Sequence, residues 1–215
     1  ATMTERRKIG IFGGTFDPIH IGHLRMALEL KEQLGLDEMR LLPCHQPPHR
    51  DAPQVSSVQR VEMLRIALQD CPELQLDERE LLRDKPSYTY DTLMELRAEL
   101  GSEVSLVLCM GEDAFAGLPT WYRWQELIRL AHLVVIARPG WNIPESGDAR
   151  DLLDKYQGEP KRLTEAAAGS IVLQSPRLLP ISATEIRKQI QAGKSAQFLV
   201  PEAVWNYIKA NQLYR

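Results

Sequence analysis

Short, strongly apolar runs recur along this chain with longer helix-patterned segments between them, and that alternation leaves few architectures open. Lys8 to Phe12 reads as a first buried strand, followed from about Gly22 to Leu34 by a helical pattern with Leu24, Ala27, Leu28 and Leu34 on one side. Met39 to Leu42 is a second short strand. Ser56 or Ser57 can then cap a helix carrying Val58, Val61, Met63, Leu64, Ala67 and Leu68. Leu74 to Leu76 is a weaker strand candidate, and a helix from about Tyr90 to Leu100 stops at Gly101. Val104 to Met110 is the strongest strand of the chain; a helix ending at Leu130 and a buried strand from Leu133 to Arg138 follow it. Asn142 to about Gly169 is polar without a clear period, and Ile171 to Leu173 supplies a last strand. Short strands alternating with helices predict an α/β fold, a mostly parallel sheet with helices on both faces. A capping-box pattern, Ser182-Ala183-Thr184-Glu185, places a further helix from Ser182 to Gly193. Pro201 opens a final helix containing Val204, Ile208 and Leu213.

Length and charge narrow the class. The 215 residues suit a single domain at roughly 150 residues per domain, so residues 1–215 are read as one unit, with approximately 180–215 as a small helical C-terminal part. The three cysteines, Cys44, Cys71 and Cys109, are odd in number and contain no CxxC pair, which excludes a disulfide framework and suits a reducing compartment. A formal net charge of −3 gives no long-range attraction for nucleic acid or an anionic membrane. The apolar runs fall far short of the ~20 residues of a membrane span. A soluble, cytoplasmic protein is expected, with neither nucleic acid nor membrane as partner.

The first strand ends on Gly13-Gly14-Thr15 and a helix follows, a geometry in which backbone N–H groups and a helix start can receive an anion. Neither GxGxxG nor GxxxxGK[ST] is present, which disfavours a dinucleotide dehydrogenase and a P-loop NTPase. The turn carries His20-Ile21-Gly22-His23 instead. Residues three apart share a helix face, so both imidazoles can address one ligand, and Gly22 leaves room for close approach. Such a pair can bind metal, act as acid and base, or donate to phosphate oxygens. Residues 43–55 form a proline-rich loop (Pro43, Pro47, Pro48, Pro53) holding Cys44, His45 and His49, long enough to be functional. These three lack a fourth ligand of suitable spacing, so no metal site is expected there.

The run from Gly13 to His23, GGTFDPIHIGH, resembles the signature of the HxGH nucleotidyltransferases, and Ile181-Ser182-Ala183-Thr184-Glu185-Ile186-Arg187 matches the serine and arginine element of the same superfamily. Between them, Pro47-Pro48-His49-Arg50, Pro86-Ser87-Tyr88-Thr89, Gly111-Glu112-Asp113, Pro119-Thr120-Trp121-Tyr122 and Ala137-Arg138-Pro139-Gly140 resemble the bacterial nicotinate mononucleotide adenylyltransferase family over essentially the whole chain. The resemblance implies a Rossmann-like doubly wound fold. It also implies AMP transfer from ATP to nicotinate mononucleotide, yielding nicotinate adenine dinucleotide and pyrophosphate in NAD biosynthesis, with Mg2+; a monomer or weak homo-oligomer is expected, though the sequence does not fix the oligomeric state. Two alternatives stay open at this point: another HxGH adenylyltransferase, such as one acting on phosphopantetheine, or a non-catalytic nucleotide sensor.

An attacking phosphate needs no protein nucleophile; the difficulty is bringing two polyanions together and stabilising the phosphoryl and pyrophosphate charge. His20, His23 and Arg187 are the expected catalytic residues, the histidines donating to the ATP phosphates. Arg187 with the Ser182 and Thr184 hydroxyls and their helix start suits the leaving group. The ATP site is completed by Gly13, Gly14, Thr15, Phe16, Gly111 and Ile181, with Asp113 and Arg138 placed by resemblance at the ribose and the adenine. The acceptor site is expected to use Thr15, Cys44, His49, Arg50, Thr89, Trp121 and Tyr122. Trp121 offers a flat face for a pyridine ring. By resemblance, backbone N–H groups near Thr89 and Tyr122 receive the nicotinate carboxylate. Cys44 stands where many relatives carry Asn.

Overall fold

The computed structural model describes residues 6–44, 55–83, 85–138, 140 and 142–215. Six strands, β1 (Lys8–Gly14), β2 (Glu38–Pro43), β3 (Leu74–Leu76), β4 (Ser105–Gly111), β5 (His132–Ile136) and β6 (Ile171–Gln174), form one sheet in the order β3-β2-β1-β4-β5-β6. Every neighbouring pair is parallel, so the mostly parallel sheet expected from sequence is wholly parallel among the described residues. Burial on both faces explains why these strands read as continuous apolar runs rather than alternating ones.

Strand periodicity divides the interior into two cores. Phe12, Val107, Cys109, Val134 and Val172 point to one face, where α1 (Ile21–Leu34) and α2 (Ser57–Leu68) lie with the C-terminal helices α8 (Ala183–Gln191) and α9 (Glu202–Ala210). Ile9, Ile11, Leu106, Leu108, Leu133 and Val135 point to the other. That face is covered by α3 (Thr89–Leu100), α4 (Glu112–Ala116), α5 (Leu127–Leu130) and α6 (Asp148–Tyr156). Gly10 is required on the α1 side, because an added Cβ would lie 2.6 Å from Leu36 Cδ1 and 3.0 Å from Met39 Sδ.

The chain leaves β1 toward β2 on one side and later returns to β4 on the other. That reversal of winding opens a crevice at the carboxyl ends of β1 and β4, where ligands of open α/β sheets bind. Both strands end there on glycine, β1 at Gly13-Gly14 and β4 at Gly111. The C-terminal segment is tied to the same end of the sheet. Ile21 N–H donates to the Leu199 carbonyl at 2.9 Å, and the buried Tyr214 hydroxyl donates to the buried Asp17 carboxyl group in the loop after β1. Burial and the neighbouring Asp17 charge push the Tyr214 hydroxyl pKa up, which keeps it a donor.

The unpatterned stretch after Asn142 contains α6 and the short α7 (Arg162–Glu165). Glu112 and Asp113, which follow the glycine that ends β4, begin the short α4, and α3 begins at Thr89, one residue earlier than expected. No helix among the described residues is long and apolar enough to cross a membrane.

Candidate active site

The loop between β1 and α1 ends in an unusual helix cap. His20 occupies the N-cap with extended backbone, and its Nδ1 accepts the His23 N–H at 3.3 Å while His23 Nδ1 accepts the His20 N–H at 3.2 Å. The exchange has the form of a capping box, with two imidazoles in place of the usual hydroxyl and carboxylate. It stacks the rings, with centroids 3.6 Å apart and planes 22° from parallel. Gly22 makes the stack possible: a Cβ there would lie 2.9 Å from His20 Cε1 and Nδ1. Phe16, at a positive φ of 50°, sets its ring 5.1 Å from that of His23 at 82°, bracing the pair from beneath.

Burial holds the His20 pKa down at about 4, and burial followed by the charge of His20 holds that of His23 at about 3. Both rings are therefore neutral near pH 7. With each Nδ1 engaged as an acceptor, the single ring proton resides on Nε2. Each imidazole is thus a fixed N–H donor without charge.

The facing wall comes from α8. Ser182 is its N-cap and accepts the Glu185 N–H at 3.1 Å, the first half of the capping box expected from sequence. Arg187, one turn further on, donates from Nη1 to the Asp17 carbonyl at 2.7 Å and from Nη2 to Thr184 Oγ1 at 3.3 Å, hooking α8 onto the β1–α1 loop. His20, Gly22, His23, Arg138, Ile181 and Ser182 line one cleft of about 580 Å³. A second hollow of about 260 Å³, lined by Gly111, Asp113, Arg138 and Phe12, shares Met26, Arg138 and Leu178 with it, so the two form a continuous groove. Arg138 lies two residues beyond β5 and is exposed. Its segment is held by Glu112, a buried carboxylate that accepts the Arg138 N–H at 2.7 Å and the Asn142 N–H at 2.6 Å.

The described residues expected to hold an acceptor do not line this groove: Thr15 and Cys44 lie just beyond the ends of β1 and β2, and Thr89, Trp121 and Tyr122 lie at the start of α3 and between α4 and α5. Cys44 follows β2, its N–H donating to the Gly14 carbonyl at 3.0 Å. Burial, then the charge of Glu80, pushes its thiol pKa up, so it is a neutral group. Trp121 is half-buried against the second of the two cores. Tyr122 is half-exposed, with its ring 4.8 Å from that of Tyr88 and 6.0 Å from that of Tyr90, and Arg123 lies 4.2 Å above the Tyr90 ring. Thr89 opens α3 beside this aromatic group. His45, His49, Arg50 and the Pro47-Pro48 pair lie outside the described residues. Among the described residues no cluster of three or more His, Cys, Asp or Glu side chains is placed to hold a metal.

Three contributors were not visible in the sequence. Glu112 sits beside a recognised glycine and acid, but only the fold shows that it caps a segment 26 residues away. The tie between Tyr214 and Asp17 spans 197 residues. Arg60 falls within an ordinary helical pattern, yet its side chain is almost fully buried behind Thr15 and Cys44.

Residues 11–189 match the family model described as cytidylyltransferase-like. The chain is 64% identical over 210 residues to a probable nicotinate-nucleotide adenylyltransferase of Cellvibrio japonicus (strain Ueda107), covering 98% of this chain and 100% of the relative. It is 51% identical over 211 residues to a protein of the same name from Pseudomonas putida (strain W619), covering 97% and 95%. Among solved structures, the Plasmodium falciparum nicotinic acid mononucleotide adenylyltransferase complexed with NaAD superposes with a TM-score of 0.73 at 18% identity, over 97% of this chain and 98% of that one. At that identity the likeness concerns the fold.

Proposed function

The chain belongs to the cytidylyltransferase-like family and, within it, to the nicotinate-nucleotide adenylyltransferases; on that footing we propose that it transfers AMP from ATP to nicotinate mononucleotide, releasing pyrophosphate. The observation that carries the reading at the level of residues is the pair of neutral, Nε2-protonated imidazoles that shares one groove with Ser182, while Arg187 of the same helix is hooked onto the Asp17 carbonyl of the histidine loop. A phosphate of the acceptor attacks the α-phosphorus of ATP, forming one P–O bond as the bond to pyrophosphate breaks. His20 and His23 donate from Nε2 to phosphate oxygens on which charge grows. Arg187, held by the Asp17 carbonyl, and the Ser182 and Thr184 hydroxyls receive the departing pyrophosphate. The hollow lined by Gly111, Asp113 and Arg138 takes the nucleoside of ATP, and Thr15, Cys44, Thr89, Trp121 and Tyr122 serve the acceptor.

Mg2+ enters with ATP in this reading. The groove offers imidazole, guanidinium and hydroxyl groups with Asp113 and Glu185 as separate carboxylates and Glu112 engaged by two backbone N–H groups, a set suited to an ion carried by phosphates and water rather than by a protein cage. When bound, the ion neutralises phosphate charge.

The test is pyrophosphate release from ATP and Mg2+ with a panel of phosphate acceptors. Nicotinate mononucleotide should be turned over with a kcat/KM at least about tenfold above that of the nicotinamide nucleotide, because N–H donors at the start of α3 and near Tyr122 favour a carboxylate over a neutral amide. Equal or better use of the amide would contradict the acceptor assignment. Release with a pantetheine phosphate alone, or with no acceptor, would contradict the reaction itself.

A further inference from the structure

Arg60 is only 1% exposed and is one of the largest side chains so deeply buried among the described residues. Its guanidinium donates from Nη1 to the Thr15 carbonyl at 2.7 Å and the Cys44 carbonyl at 3.1 Å, and from Nη2 to Ser57 Oγ at 3.0 Å. The Nε–H is buried without a partner, and the guanidinium makes no ion pair among the described residues. The Asp17 and Glu80 carboxyl groups accept from the Tyr214 and Thr92 hydroxyls, and neither bonds the guanidinium. Arg60 also stands in the first turn of α2, which contains no acidic residue, where the helix dipole disfavours a cation.

A buried charge with no direct ion pair among the described residues, at the wrong end of a helix, is an expensive way to tie three neutral oxygens together. What it provides is positive potential behind the carboxyl ends of β1 and β2. We propose that Arg60 is a positioning residue for the acceptor: its charge draws the acceptor's phosphate into that end of the site, and its fork fixes the Thr15 and Cys44 backbones that border it. The C=O and N–H of one peptide point opposite ways, so pinning the Thr15 carbonyl turns the Phe16 N–H away from Arg60, which sets the conformation of the phosphate turn. The proposal rests on the function proposed above, with Thr15 and Cys44 on the acceptor side.

Its test compares affinities with and without a phosphate. Calorimetry should show Arg60→Met binding nicotinate mononucleotide about 10- to 100-fold more weakly, while the nucleoside lacking the phosphate changes by less than about threefold. Arg60→Lys, which keeps the charge, should recover most of the nucleotide affinity. Ser57→Asp neutralises the guanidinium in place without removing it, and its aspartate suits a helix start, so it serves if Arg60→Met does not fold. It should lose nucleotide affinity selectively as well. Equal weakening of nucleotide and nucleoside, or unchanged nucleotide affinity in a folded variant, overturns the proposal. Inorganic phosphate titrated against the same proteins reads the charge independently of acceptor identity: weaker phosphate binding in Arg60→Met and Ser57→Asp supports it, and unchanged binding overturns it. Failure of the proposed function would appear elsewhere, as absence of pyrophosphate release by the wild type.

Discussion

Replacing His20 by alanine should lower kcat by about 10²- to 10³-fold, the cost typical of removing one preorganised donor from a developing anion. The ring does two jobs, because its Nδ1 caps α1 while its Nε2–H is the donor proposed for ATP. Losing the cap alone costs about 1 kcal/mol of stability. His20→Asn separates the jobs: asparagine is a good N-cap acceptor, but it cannot present the imidazole donor. Steady-state kinetics should find His20→Asn nearly as slow as His20→Ala, with thermal unfolding closer to wild type. The factor should hold between pH 6 and 8, since pKa values of about 4 and 3 leave both rings neutral throughout that range. Near-normal turnover by His20→Asn would reduce the ring to a structural cap.

Arg187→Ala should be comparably slow, by about 10²-fold or more, for a different reason. It removes the one guanidinium that α8 brings to the β1–α1 loop, together with the tether to the Asp17 carbonyl. Arginine's planar fork can hold that carbonyl and a phosphate oxygen at once, whereas a lysine presents a single point charge. Arg187→Lys should therefore recover part of the rate, with most of the remaining defect in kcat rather than in the KM for ATP, because the departing pyrophosphate gains charge only as the bond breaks. A rate within about threefold of wild type for Arg187→Ala would remove the residue from the mechanism, and an equal defect in Arg187→Lys would assign it to the tether alone.

The elements legible in the sequence were those whose burial is strong and local. β4 and β5 are buried along nearly their whole length and stood out as apolar runs, and the start of α8 was announced by Ser182. The helices that escaped are polar and bury little: α6 buries only Ala149 and Leu153, and α7 only Leu163. Periodicity has nothing to register in such segments. The histidine turn was readable because glycine spacing and residue chemistry coincide within one short stretch. Its tautomer was not, since that depends on which ring nitrogen meets which backbone N–H. Arg60 and Glu112 were hidden for a related reason: a charged residue in a helical pattern reads as solvated, and only the fold shows what buries it.

Both Nδ1 atoms are occupied as acceptors and both Nε2 atoms carry the proton, so neither histidine offers a lone pair to phosphorus, and transfer should proceed in one displacement without a nucleotidyl-enzyme intermediate. The stereochemical course measures this directly. With one diastereomer of ATP bearing sulfur on the α-phosphorus, and nicotinate mononucleotide as acceptor, the dinucleotide product should show inversion at phosphorus. Retention would reveal two successive displacements through a covalent intermediate on the protein and would contradict donation by the paired imidazoles.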